Sequence, residues 1–135
     1  MRRPVDPLNP LESVEQRRVA DYLRARGDLL WTHVPNESKR GPRQGRALRD
    51  AGMKRGVPDI LIFTPIYRAG VAAPYVGLAI ELKRRKGGKV SPEQREWINA
   101  LGECGWRIAV AKGADEAISA IEACYGAPCA GRRVA

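Results

Sequence analysis

The sequence predicts an α/β fold, a mixed central sheet of about four strands flanked by helices in the order αβββαβα. Three observations carry this reading. Apolar residues recur at helical spacing near both ends of the chain and after Ser91, whereas Ile60-Leu61-Ile62-Phe63 is too short and too continuously apolar for a surface helix and reads as a buried strand. Turns rich in glycine and proline separate these segments. A chain of 135 residues suits one domain, expected over residues 1–125, with residues 126–135 as a flexible tail bearing glycine, proline and arginine.

Taken in order, Asn9-Pro10 supplies a cap and a first-turn proline, and Leu11, Val14, Val19, Tyr22 and Leu23 then repeat at helical spacing until Gly27. A helix over 10–26 follows. Leu29 to Val34 is a short strand stopped by Pro35, Asn36 to Gly45 a polar loop, and Arg46 to Met53 one or two helical turns. After the Gly56-Val57-Pro58 turn comes the apolar strand, then a loop over 64–74 and a strand over 76–83 that gives way to a basic turn, 84–89. Ser91-Pro92-Glu93-Gln94 has the form of a capping box, with Trp97, Ile98, Leu101 and Cys104 as the apolar stripe behind it. A strand over 106–111 and a helix over 114–124, with Ala117, Ile118 and Ile121 on one face, complete the series. Trp31, Trp97 and Trp106 lie in otherwise apolar elements and are expected in the core.

The formal charge of +9 and pI near 10 point to a polyanionic partner, although basic loops can also be merely solvated. Three cysteines without a CxxC pair and a single histidine leave a zinc site without recognisable ligand spacing and a disulfide framework without support. No apolar run approaches the roughly 20 residues of a membrane span. Arg2 and Arg3 are not followed by an apolar stretch of signal type, so a cytoplasmic location is expected.

Side chains alternate across a strand, which puts Glu81 and Lys83 on one face and Leu78, Ile80 and Leu82 on the other. A charged pair at a strand end is also what a solvated edge presents. Asp59, at the start of the preceding strand, adds a second carboxylate, and two carboxylates on neighbouring strands suit a hard cation such as Mg²⁺ that keeps waters and meets phosphate. Aspartate after proline can equally cap a turn. Glu12 and Glu15 both fall within the apolar arc of the first helix, where an acid needs a partner. A metal would serve; so would the helix dipole at the first turns.

Gly56-Val57-Pro58-Asp59, then Glu81-Leu82-Lys83, then Gln94 at the start of a helix, resembles the PD-(D/E)XK nuclease superfamily, and within it the virus-type replication-repair nuclease (VRR-NUC) domain. Glu12 with Gln16, and His33-Val34-Pro35-Asn36, are similar to phage and bacterial members. The resemblance spans Glu12 to Tyr125 and implies a restriction-endonuclease-like core. It implies a metal site, for Mg²⁺ or Mn²⁺, formed by Asp59, Glu81, the Leu82 carbonyl and Glu12, with Lys83 positioning or activating the attacking water and Gln94 beside it. Gln94 is also explained by the capping box alone. Glu15 has no family counterpart.

Basic residues flank these motifs: Lys39, Arg40, Arg43, Arg46, Arg49, Lys54 and Arg55 before Asp59, and Arg84, Arg85, Lys86 and Lys89 after Lys83. Charges so placed suit the phosphate backbone. The expected function is therefore a metal-dependent DNA endonuclease. The resemblance extends to enzymes acting on branched DNA, including Holliday-junction resolvases that work as homodimers. The rival readings are a DNA-binding module without catalysis and an RNA-directed or accessory nuclease within a larger complex.

Overall fold

The computed structural model describes residues 4, 6–35 and 41–128. Its elements are α1 (Glu12–Arg26), β1 (Trp31–His33), α2 (Pro42–Asp50), β2 (Ile60–Ile62), β3 (Leu78–Lys83), α3 (Pro92–Glu103), β4 (Arg107–Lys112) and α4 (Ala114–Tyr125). The strands form one mixed, open sheet in the order β1-β2-β3-β4. Neighbours β1–β2 and β2–β3 are antiparallel, whereas β3 and β4 are parallel and joined through α3, as a parallel pair requires a crossover.

The α/β class and the mixed four-stranded sheet agree with the sequence. One helix starts earlier than expected. Residues Asn36 to Gly45 read as loop because of their glycine and proline, yet α2 already begins at Pro42, which stands in its first turn behind an extended Gly41. The element order is thus αβαββαβα. Strand β3 starts at Leu78 rather than Val76, because Gly77 is pressed against β2: a Cβ there would lie 2.2 Å from the Ile62 carbonyl oxygen.

One face of the sheet carries the core. Val19 and Leu23 of α1 and Ala117 and Ile121 of α4 meet Ile60, Ile62, Leu78, Ile80 and Leu82, all essentially sealed from solvent. Each large side chain so buried contributes about 1.5–3 kcal/mol. The helices' far ends are joined by Arg26, buried against Asp28 (2.6 Å) and donating to the carbonyls of Gly126 (2.6 Å) and Tyr125 (3.1 Å). The other face is covered less completely, with α3 packed against β4. All three tryptophans prove half-buried rather than enclosed: Trp31 packs against the core cluster, and Trp106 meets the exposed Phe63 edge-on at 5.6 Å. No helix among the described residues is long and apolar enough to cross a membrane.

Candidate active site

The register of the sheet brings the two acids together. Strand β2 pairs with β3 through Ile62↔Leu78, Leu61↔Ala79 and Ile60↔Ile80, and one further step sets Asp59 opposite Glu81. Pairing stops there, so the Leu82 N–H donates to Asp59 Oδ2 at 2.7 Å instead of to a strand. The Asp59 carbonyl in turn accepts from Val34 N at 2.8 Å and His33 Nδ1 at 2.9 Å, which ties the acid to β1 as well.

Glu81 and Lys83 do not form a solvated edge. Strand β3 is interior and buried along its whole length, with Glu81 1% and Lys83 7% exposed. The capping box places Gln94 over them: Gln94 Oε1 accepts from Ser91 N (2.8 Å) and from Lys83 Nζ (2.9 Å), while Gln94 Nε2 donates to Glu81 Oε1 (2.7 Å). Lys83 Nζ also lies 3.1 Å from Glu81 Oε1. Gln94 therefore caps α3 and orders the charged pair at once. Gly56 makes this possible. It has φ +88°, and a Cβ on it would sit 2.5 Å from the Glu93 carbonyl carbon and 2.8 Å from Gln94 N, so only glycine lets the Asp59 turn touch the start of α3.

Burial, and next the facing Asp59 charge, push the Glu81 carboxyl up to about 7, against the pull of Lys83. The Asp59 carboxyl is also raised, first by burial, with Glu12 adding and the Leu82 N–H opposing. Glu81 Oε2 is buried without a hydrogen-bond partner. Two facing carboxyls that burial leaves reluctant to ionise, one with an orphaned oxygen, fit a hard divalent cation. Among the described residues no three His, Cys, Asp or Glu side chains cluster closely enough to form a ready-made metal cage. The centre is the Asp59–Glu81 pair, with Glu12 exposed on the wall of a cavity it shares with Gln16, His33, Asp59 and Leu82.

The model of the VRR-NUC domain family matches residues 11–115. The chain belongs to the VRR-NUC family. A solved structure described as a VRR_NUC domain protein is similar to it with a TM-score of 0.65 and 26% identity, over 87% of this chain and 95% of that one. No curated protein gives a match. VRR-NUC membership puts the chain in a nuclease superfamily and accords with the α/β fold described above.

Within this VRR-NUC domain, the remaining predicted residues divide. Glu15 is fully buried but faces away from the acidic pair: its Oε2 accepts from Ala114 N at the start of α4, and its Oε1 lies 3.0 Å from Arg85 Nη2, as an ion pair off the angle of a hydrogen bond. Arg85 is thus held inward. Arg84 is held too, donating to the carbonyls of Asn9 (2.6 Å) and Pro10 (3.3 Å). These two arginines tie the turn after Lys83 to α1 and to the residues just before it. Lys86 and Lys89 remain exposed, as do Arg43, Arg46 and Arg49 on α2, and Lys54 and Arg55 beside Asp59. Lys39 and Arg40 lie outside the described residues. Sequence reasoning gave Gln16 no role, yet both atoms of its amide are buried without a partner beside the acidic centre. Its signal was the i, i+4 spacing from Glu12, which sets both on one helix face.

Proposed function

We propose that this VRR-NUC domain is a divalent-metal-dependent DNA endonuclease. The observation that carries the reading is the buried, partnerless Glu81 Oε2 set against Asp59 and beside the Lys83–Gln94 contact. Asp59, Glu81 and the Leu82 carbonyl would hold Mg²⁺ or Mn²⁺, with Glu12 completing the set from α1. A cation there supplies charge to stabilise the phosphoryl oxygens and acidifies a bound water. Lys83 has three N–H donors, of which Gln94 Oε1 and Glu81 Oε1 take two, so the third remains to hold the attacking water or a phosphate oxygen. Gln94 keeps that amine in one place. The net charge of +9 supports a polyanionic substrate. Cutting paired strands symmetrically, as on a four-way junction, would take two copies of the chain related by a twofold axis.

A cleavage assay on linear, flapped and four-way DNA, with Mg²⁺, Mn²⁺ or EDTA, tests the reading. Metal-dependent nicking that vanishes in EDTA is expected; cleavage that persists in EDTA would remove the metal from the mechanism. Light scattering with and without the four-way substrate tests the pairing, which fails if a monomer makes coincident cuts.

A further inference from the structure

Asp59 stands on the boundary between two cavities, and one of them runs on into a third. The first, about 230 Å³, lies on the α3 side between Lys54, Gly56 and Gln94. The second, about 620 Å³, shares Asp59 and Pro35 with it and is walled by Glu12 and Leu82. The third, about 410 Å³, shares Ser13, Gln16 and His33 with the second and continues along α1 and the sheet-edge strand β1 past Arg17 to Arg24 and Trp31. Through these shared walls the three cavities adjoin in series and form a trough that passes Asp59.

The α1–β1 arm of this trough has the chemistry of a single-strand groove. Gln16 lines both the second cavity and this arm, and its amide finds no hydrogen-bond partner within the fold. A carbonyl only accepts, so His33 Nδ1 donates to Asp59 O, and a neutral His33 has Nε2 left as an acceptor. At the far end the Arg24 guanidinium lies over the Trp31 ring, 5.9 Å from its centroid. Arg24 also pairs with Asp21 at 3.0 Å, but both are largely exposed and such a pair is readily given up. Exposed Arg17 stands on the same wall. Aromatic faces beside cations are what grooves use to stack bases and follow phosphates in a single strand. A duplex keeps its base faces stacked inside and has none to offer Trp31.

The geometry points to this arm as a subsite for unpaired nucleotides adjoining the scissile phosphate, so that the strand is cut where it leaves a duplex or within a single-stranded stretch. The assignment rests on the nuclease reading only in placing the scissile phosphate at Asp59. Fluorescence anisotropy in EDTA, where nothing is cut, measures binding to blunt duplex, to duplexes with overhangs, and to single-stranded DNA and RNA of one sequence. Overhang and single-strand ligands should bind about tenfold more tightly than blunt duplex. Arg17→Glu and Trp31→Ala should each erase most of that difference, while Trp31→Phe, which keeps a ring, retains it. Trp31 also packs against the core, so Arg17→Glu, a change at an exposed position, guards against a merely misfolded variant. Equal affinity for blunt and overhang ligands, or losses in Arg17→Glu that are the same on both, would overturn the subsite. A preference for the RNA strand over DNA would support the subsite and assign its strand. Cleavage with Mn²⁺ separates the two readings: an intact overhang preference with no cutting under any metal sinks the nuclease proposal alone, whereas cutting indifferent to overhangs sinks the subsite alone.

Discussion

Glu15 and Glu81 are both sealed inside the protein, at 0% and 1% exposure, but the α1–α4 junction and the open end of the sheet treat the same side chain differently. At the junction, Glu15 meets the N-terminus of α4 and two arginines, Arg85 at 3.0 Å and Arg18 at 3.6 Å, all of which favour its charge. At the sheet end, Glu81 meets Asp59, and the lysine beside it is shared with Gln94. Each carboxylate keeps one oxygen without a hydrogen bond, but that of Glu15 is ion-paired with Arg85 whereas Glu81 faces a second acid. Burial therefore does not distinguish an acid held by donors from one set against another acid. The sign of its neighbours does.

The sharpest way to break this comparison is to remove each acid and ask what is lost. Asp59→Ala or Glu81→Ala should lower cleavage about 10³-fold or more while DNA binding survives, as measured on labelled substrate in Mg²⁺ and by anisotropy in EDTA. Full activity in either variant would show that the pair is not the reactive centre. Glu15→Ala should do the reverse. It leaves Arg85 facing a vacated site and α4 without its acceptor, a loss of about 3 kcal/mol seen as a lower Tm in thermal unfolding. Below that Tm, its metal-dependent cleavage per folded molecule should stay near that of the parent protein.

The pH dependence of stability sharpens the contrast further. Glu81 is raised in the folded chain, so the fold binds its proton more tightly than the unfolded chain does. The stability it contributes is full below the ordinary carboxylate range and is lost as pH rises through about 7. Without metal, Tm should therefore fall across that window, and Glu81→Gln should flatten the fall. Mg²⁺ or Mn²⁺ should raise Tm more at pH 8 than at pH 5, because at pH 5 protons compete for the same oxygens. A metal response independent of pH would place the ion elsewhere.

The smallest effect concerns the basic turn. Arg84 is committed to the residues before α1 and Arg85 to Glu15, which leaves Lys86 and Lys89 as the exposed cations of the turn. Lys86→Ala with Lys89→Ala should reduce the salt slope of DNA affinity by about one per lost contact. An unchanged slope would remove the turn from the interface.

Much of this was legible in the sequence wherever the cause was local. The apolar run at Ile60, the alternation through Leu82 and Lys83, and the capping box at Ser91 each depend on residues within a few positions, and each fixes an element close to its observed bounds. Asp59 and Glu81 could be paired because neighbouring strands bring their ends together. What was hidden depended on distance along the chain. The donor to Glu15 is Ala114, and the acceptors for Arg84 are Asn9 and Pro10; no periodicity connects such positions. The start of α2 was lost for another reason, since Gly41 and Pro42 signal a loop as readily as a first turn.

Gly52 and Gly56 both hold a positive φ, four residues apart, but only the second is a spacer of zero thickness. Around Gly52 nothing approaches within 4 Å of where a Cβ would be, so a side chain there would meet only the backbone strain of a φ of +105°. At Gly56 the backbone of Glu93 and Gln94 already fills that space, and even one methyl would pry the turn bearing Asp59 from the helix bearing Gln94. The acid and the lysine's partner would then drift apart with every reactive side chain still present, giving a folded protein whose chemical groups are intact and whose alignment is not. Position 56 thus sets the gauge between two halves of the site that share no covalent neighbour.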